Sequence, residues 1–148
     1  MHITLESDYA VRIVYCLTQN KVRMDAKRIS EETGVTLRFS LKILRKLVAD
    51  GLVRSYKGTK GGYELGRPAE EISLCDVIET VEGPYALARC VGEEDYPCNR
   101  NAASCGSCKF RQIFSEVSDL VRERLGQVKF SDLVKDGQGP AAGTSETL

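Results

Sequence analysis

Residues 25–51, DAKRISEETGVTLRFSLKILRKLVADG, constrain the fold more than any other part of the chain. Two helical segments lie there with almost nothing between them. Asp25 is placed to cap the first helix, and Gly34 to end it in the left-handed conformation that glycine adopts without steric cost. Thr36 is placed to cap the second, and Gly51 to follow its end. A connection this short forces the second helix to turn sharply across the first, which is the helix-turn-helix arrangement. The expected inward stripe of the second helix is Leu41, Leu44, Leu47 and Val48. Arg38, Ser40, Lys42, Arg45 and Lys46 then fall largely on its other faces.

The flanking segments extend this into a larger unit. Upstream, SDYAVRIVYCLTQN places Tyr9, Ala10, Ile13, Val14 and Leu17 at helical spacing, with Asp8 near the positive end of the helix dipole. Downstream, LVRSYKGTKGGYELG changes period: Val53 and Ser55, then Tyr63 and Leu65, alternate as in strands around the turn KGTKGG. Three helices followed by a basic hairpin describe a winged helix. Residues 1–67 carry 13 Lys or Arg against 7 Asp or Glu, and residues 68–148 carry 8 against 14. A net zero therefore hides a +6 half and a −6 half, and the basic half points to a polyanion. The expected partner is double-stranded DNA, with the second helix of the motif in the major groove. Candidate contacts are Arg38 and Lys42 toward bases, Thr36 and Ser40 at the start of the same helix, and Arg28, Arg54, Lys57 and Lys60 toward phosphates. Phe39 is a candidate for a thymine methyl or for packing against the turn.

In the acidic half, ISLCDVIETVEG places Leu74, Val77, Ile78 and Val81 on one helical face, with Ser73 as cap and Gly83-Pro84 as stop. Further on, KFRQIFSEVSDLVRERLGQVKF repeats apolar residues at helical spacing from Phe110 to Val128. That is more apolar surface than a small head needs, so a homodimer is expected. FSDLVKD reads as a final short turn, and GQGPAAGTSETL as a disordered tail. The fold class expected is mainly α with a small β-wing. The head is residues 1–67, a connecting helix 68–89, a cysteine-rich loop 90–108, a dimerisation helix with terminal turn 109–135, and a tail 136–148.

That loop, CVGEEDYPCNRNAASCGSC, holds Cys90, Cys98, Cys105 and Cys108, four of the chain's six cysteines. Its spacing is C-x7-C-x6-C-x2-C. Thiolates are soft ligands that suit zinc or an iron–sulfur cluster. A structural zinc site usually shows two C-x-x-C knuckles, and only Cys105–Cys108 forms one here, so the wide intervals suit something larger than a single ion. A thiol–disulfide switch and idle surface thiols are the alternatives. Three acids, Glu93, Glu94 and Asp95, are placed to lower the potential of an anionic group beside them, or simply to be solvated. Cys16 and Cys75 read as packing residues. A C-x-x-C redox protein is the least favoured reading, since that motif normally opens a helix in a βαβ setting. No nucleophile–base pair is visible, His2 being the only histidine, so neither an enzyme nor a small-molecule substrate is expected. The opening MHITLESDYA has no basic segment leading into an apolar one, and the longest apolar run is Ile13–Leu17. Neither a secretory signal nor a membrane association is expected, and the location expected is cytoplasmic.

Taken in order, ISEETGV, ILRKLVADGLV, KGTKGGYELGRP, ISLCDVIETVEG and the cysteine loop resemble the IscR/NsrR-type winged-helix regulators over about residues 1–135. The resemblance implies a homodimeric bacterial transcription regulator with an iron–sulfur cluster, whose state controls how the head meets DNA. The chain departs from the family's better-known patterns. Where the iron–sulfur biogenesis branch has a histidine ligand, this chain has Cys108. In the nitric-oxide-sensing branch a carboxylate arrives from the partner subunit's first helix, and Asp8 matches that place. Cys108 is the preferred fourth ligand and Asp8 the alternative. A 2Fe-2S cluster is preferred, with 4Fe-4S or zinc as alternatives.

Overall fold

The computed structural model describes residues 2–100 and 102–135. Seven α-helices and one hairpin follow in chain order: α1 (Leu5–Asn20), α2 (Ala26–Thr33), α3 (Leu37–Ala49), β1 (Val53–Tyr56), β2 (Gly62–Leu65), α4 (Leu74–Glu82), α5 (Arg89–Gly92), α6 (Lys109–Gln127) and α7 (Phe130–Lys135). Short 3-10 turns at Ala69–Glu71 and Ala102–Ser107 complete the connections. Among the described residues the fold is mainly helical with one two-stranded antiparallel sheet, as expected for a winged helix with a long C-terminal helix. Among the described residues, no helix is long and apolar enough to cross a membrane.

Local signals set the head. The Asp25 carboxylate accepts the Arg28 amide at 2.8 Å, and Gly34 ends α2 at φ 73°. Thr36 caps α3 through the Phe39 amide, and the chain leaves α3 through Asp50 and Gly51. Ser73 and Asp76 form a reciprocal capping box at the start of α4. Each such cap contributes about 1 kcal/mol, so together they fix where the helices begin independently of tertiary contacts. The hairpin pairs Val53 with Leu65 through Tyr56 with Gly62. Its second strand also pairs with Met24, whose amide and carbonyl bond Tyr63 at 2.9 and 2.7 Å. Gly62 is required for that approach: a Cβ there would sit 2.7 Å from the Met24 carbonyl oxygen.

A continuous core joins Ala10, Ile13, Val14 and Leu17 of α1 to Ile29, Ile43, Leu44, Leu47, Leu52 and Val53, and then to Ile72, Val77 and Val81. Three expectations change. Leu41 is exposed, and Ile43 and Ser40 take the inward positions on α3. Residues 130–135, expected as a final short turn, form a six-residue helix, and its Phe130 is wholly buried in the head core. The segment is pinned there by Leu74 N–H to Val128 carbonyl and Phe130 N–H to Ile72 carbonyl, both 3.0 Å. Thus α6 leaves the cysteine-rich segment and returns the chain to the head. Finally, the cysteine-rich segment is not a bare loop, because α5 and a 3-10 turn fall within it. The expectation of a disordered tail over 136–148 lies outside the described residues.

Candidate DNA interface and cysteine site

Thr36 lies exposed as the cap of α3, Arg38 and Lys42 lie exposed on α3, Arg54 is exposed on β1, and Lys57 and Lys60 are exposed around the hairpin turn. Leu37 and Phe39 add exposed apolar surface at the start of α3, and Phe39 meets Tyr9 edge-on at 5.9 Å. Ser40 departs from the expectation. It is wholly buried, and its hydroxyl donates to the Val35 carbonyl at 3.4 Å, so it supports the turn instead of facing a duplex. Arg28 is engaged within the protein: it pairs with Glu32 at 2.9 Å and donates to Asn20. Lys42 lies 3.7 Å from Glu6, a loose ion pair that leaves the ammonium largely solvated.

Lys46 has a different role from its neighbours. Its ammonium pairs with Glu6 at 2.7 Å and donates to the Val81 carbonyl at 3.2 Å, joining α3 to the starts and ends of α1 and α4. The hydrogen bond from Lys46 holds the Glu6 carboxyl below its ordinary pKa. Nearby, Glu82 accepts from the Thr4 amide at 3.1 Å and from the Thr4 and Ser7 hydroxyls. Burial alone would raise the Glu82 pKa, but those hydrogen bonds bring it down. The C-terminal end of α4 is therefore clamped to both α1 and α3.

From that end the chain runs directly to the cysteines. The Tyr85 amide donates to Glu79 at 3.1 Å, and Glu79 pairs with Arg122 of α6 at 2.8 Å. The Leu87 amide donates to the Ser118 hydroxyl at 2.9 Å. Ser118 is the buried residue of α6. Cys90 follows on α5, and its carbonyl accepts from Arg111 at 3.0 Å.

Cys90, Cys98, Cys105 and Cys108 all line one open cavity of about 800 Å³. None of the four is in a disulfide, and all are half-buried. They come from four different local settings: Cys90 on α5, Cys98 between elements, Cys105 on the 3-10 turn, and Cys108 as the N-cap of α6. The Cys108 thiol is held below its ordinary pKa, chiefly by the Arg111 amide and also by the Phe110 amide and the charges of Arg100 and Arg111. Cys16 differs: it is buried beside Met24 and Glu32, and burial pushes its thiol up to about 11. Burial also raises Cys75. Cys16 belongs to the head core, whereas Cys75 is half-buried outside it.

The cations around the cavity were not singled out from the sequence. Arg89, Arg100, Lys109 and Arg111 line it, whereas Glu93, Glu94 and Asp95 are exposed and are not among its lining residues. The acids are contiguous in the sequence and drew attention, while the cations are scattered and converge only on folding. Asp8 pairs with Arg12 on α1 at 2.8 Å and is not a lining residue, so only another copy of the chain could bring it to the cysteines.

As soft donors, the thiols fit an iron–sulfur group and fit zinc as well. Four thiols face one cavity, and four cations there balance thiolate charge. Among the described residues, no three His, Cys, Asp or Glu are gathered as one metal ion requires.

The family model Rrf2, described as an iron-dependent transcriptional regulator, matches residues 3–136. Protein aau3 of Rhizobium meliloti is 39% identical over 110 residues, which cover 70% of this chain and 71% of that one. In three dimensions the chain is similar to CymR (YrzC), the global cysteine regulator of B. subtilis. The TM-score is 0.71 at 22% identity, covering 92% of this chain and 98% of the other. It is also similar to T. potens IscR, with a TM-score of 0.69 at 21% identity over 93% and 89% of the two chains.

Proposed function

Because the chain belongs to the Rrf2 family of DNA-binding transcription regulators, and so is not an enzyme, we propose that its grip on DNA is governed by an iron–sulfur cluster held by Cys90, Cys98, Cys105 and Cys108. It acts in the cytoplasm as a homodimer on a double-stranded operator. The observation that carries this reading is the convergence of four free thiols from four local settings on one cation-lined cavity.

The head supplies DNA binding. Arg38 and Lys42 face the bases from α3, with Thr36 fixing the start of that helix. Arg54, Lys57 and Lys60 reach phosphates. Arg28 serves α2 through Glu32 and reaches phosphate only by leaving that pair. The second copy covers the outer face of α6, where Phe110, Ile113 and Leu120 are 58, 54 and 64% exposed. A two-fold arrangement sets the two α3 helices about 34 Å apart, one turn of the duplex.

Bound between the cysteines, an iron–sulfur group supplies an electron-accepting centre sensitive to oxidants and to iron loss. The chain's own residues link that region to the head. Cys90 is three residues from Leu87, which Ser118 holds against α6. Glu79 holds Tyr85, and Lys46 and Glu82 clamp the end of α4 to α3 and α1. Loosening of residues 84–108 therefore loosens the placement of α3, and both half-sites must fit together for tight binding.

One observation favours a second reading. The Cys105–Cys108 pair abuts the start of α6, where the Cys108 thiol is held below its ordinary pKa chiefly by the Arg111 amide, and this suits a thiol-switched regulator. Anaerobic purification followed by an absorption spectrum and by iron, sulfide and zinc analysis separates the readings. A coloured protein with equal iron and acid-labile sulfide is expected, with a 2Fe-2S spectrum. Zinc without iron would favour a zinc-stabilised regulator. Metal-free protein that binds DNA only when its thiols are reduced would favour the switch.

A further inference from the structure

We infer that Arg23 is a positioning residue that fixes the reach of the hairpin wing, and through it the phosphate contacts of Lys57 and Lys60. The inference rests on the DNA-binding role of the head and not on the cysteine site. Arg23 lies in the connection between α1 and α2, within the head but not among the DNA contacts named from the sequence. Its guanidinium carbon sits 3.4 Å above the centroid of the Tyr56 ring at the end of β1. Its Nη1 donates to the Lys60 carbonyl at the wing turn, at 3.1 Å. Its Nε is 3.8 Å from Glu64 on β2, and Glu64 also accepts from the Tyr56 hydroxyl at 2.6 Å. One side chain thus touches both strands and the turn between them.

The neighbouring residue completes the attachment. Met24 pairs with Tyr63 through two backbone hydrogen bonds, an isolated antiparallel bridge that fixes the segment carrying Arg23 against β2. A two-stranded ribbon is marginally stable by itself in water, so a wing held only by its own pairs would sample many directions. The planar guanidinium suits this position better than an ammonium. It stacks on the ring and donates sideways in the same plane, whereas lysine offers a point charge on a flexible stem. Arg23 carries a charge toward DNA as well, but its hydrogen-bonding edge is already directed to Lys60 and Glu64.

The test uses the full chain and a 30-base-pair duplex selected by the wild-type protein from a random-sequence pool. Arg23→Lys keeps the charge and removes the stack and the directed bond. Affinity is expected to fall roughly tenfold, and the slope of log affinity against log salt to flatten by between about one and two, because the two wing lysines no longer release counterions. Tyr56→Leu, which keeps Arg23 but removes the ring, is expected to flatten the slope similarly. Tyr56→Phe, which keeps the ring, is expected to retain most of the wild-type slope. In a Lys57→Ala/Lys60→Ala background, Arg23→Lys is expected to add little further loss. Melting curves of each variant establish that the head is folded, and Tyr56→Leu supplies the comparison should Arg23→Lys fail to fold. An unchanged slope in the folded variants would overturn the inference. So would an Arg23→Lys loss that is fully additive with loss of the two lysines, since Arg23 would then be acting independently of the wing.

Discussion

The head and the cysteine-bearing segment are built on opposite terms. In the head, every helix is capped or packed and the core runs unbroken from Ala10 to Val81, with Phe130 closing it from the far end of the chain. Between Val81 and Phe130, no hydrophobic side chain among the described residues is buried. Among the described residues of 84–108, the ties include Tyr85 to Glu79, Leu87 to Ser118, Arg111 to Cys90 and Arg100 over the Phe110 ring. A region without a core cannot offset the entropy of its own ordering by hydrophobic burial. The contrast teaches a division of labour: the head keeps its shape by its own core, whereas the cysteine segment, on the function proposed above, takes its shape from what its thiols hold and from a second copy.

The sharpest way to break that contrast is to remove one ligand. Cys98→Ala is expected to abolish bound iron and sulfide completely in anaerobically purified protein, while thermal unfolding of the head stays where it was. An unchanged visible spectrum would take Cys98 out of the ligand set. Next in size is Phe130→Ala. It empties a wholly buried site and should cost about 3–5 kcal/mol in denaturant unfolding of the head. A loss below about 1 kcal/mol would mean that α7 merely rests on the head. Leu120→Asp places a charge on the exposed face of α6 and should weaken self-association by roughly tenfold or more, as read by sedimentation across a dilution series. If association is unaffected, another face forms the dimer.

The smallest effect concerns the clamp between α1 and α3. Glu6→Gln should cost less than about 1 kcal/mol at neutral pH, because the pair with Lys46 is partly solvated. The folded carboxyl is held below its ordinary pKa, chiefly by the hydrogen bond from Lys46. Its contribution is therefore present above the ordinary carboxylate range and is lost as pH falls through the lowered folded value. Wild-type and variant stabilities, measured by urea unfolding at stepped pH, should converge on the acid side. A gap that persists there would point to packing as the source.

The same contrast marks what could be read from the chain before folding. Asp25, Gly34, Thr36, Gly51 and Ser73 announce helix ends because capping is local: each acts on amides or carbonyls within a few residues. Winged-helix order and the basic hairpin were legible for the same reason. Leu41 and Ile43 were confused because both are apolar and adjacent faces of α3 differ only in which neighbour covers them. The burial of Phe130 depends on residues some 60 to 120 positions away, and FSDLVKD alone carries no period long enough to reveal it. The cationic lining of the cysteine cavity and the three contacts of Arg23 are likewise products of folding, since their members are scattered along the chain. The thiols, by contrast, drew notice by chemistry alone.

The most direct test of the central claim is amide hydrogen exchange on anaerobically isolated protein, before and after chelation of its metal. The account predicts that protection across residues 84–108 collapses when the metal is removed, while Ile13–Leu17 and Ile43–Leu47 exchange as slowly as before. Equal protection of residues 84–108 in the two samples would contradict it, because the cysteine segment would then hold its shape without anything bound to its sulfurs.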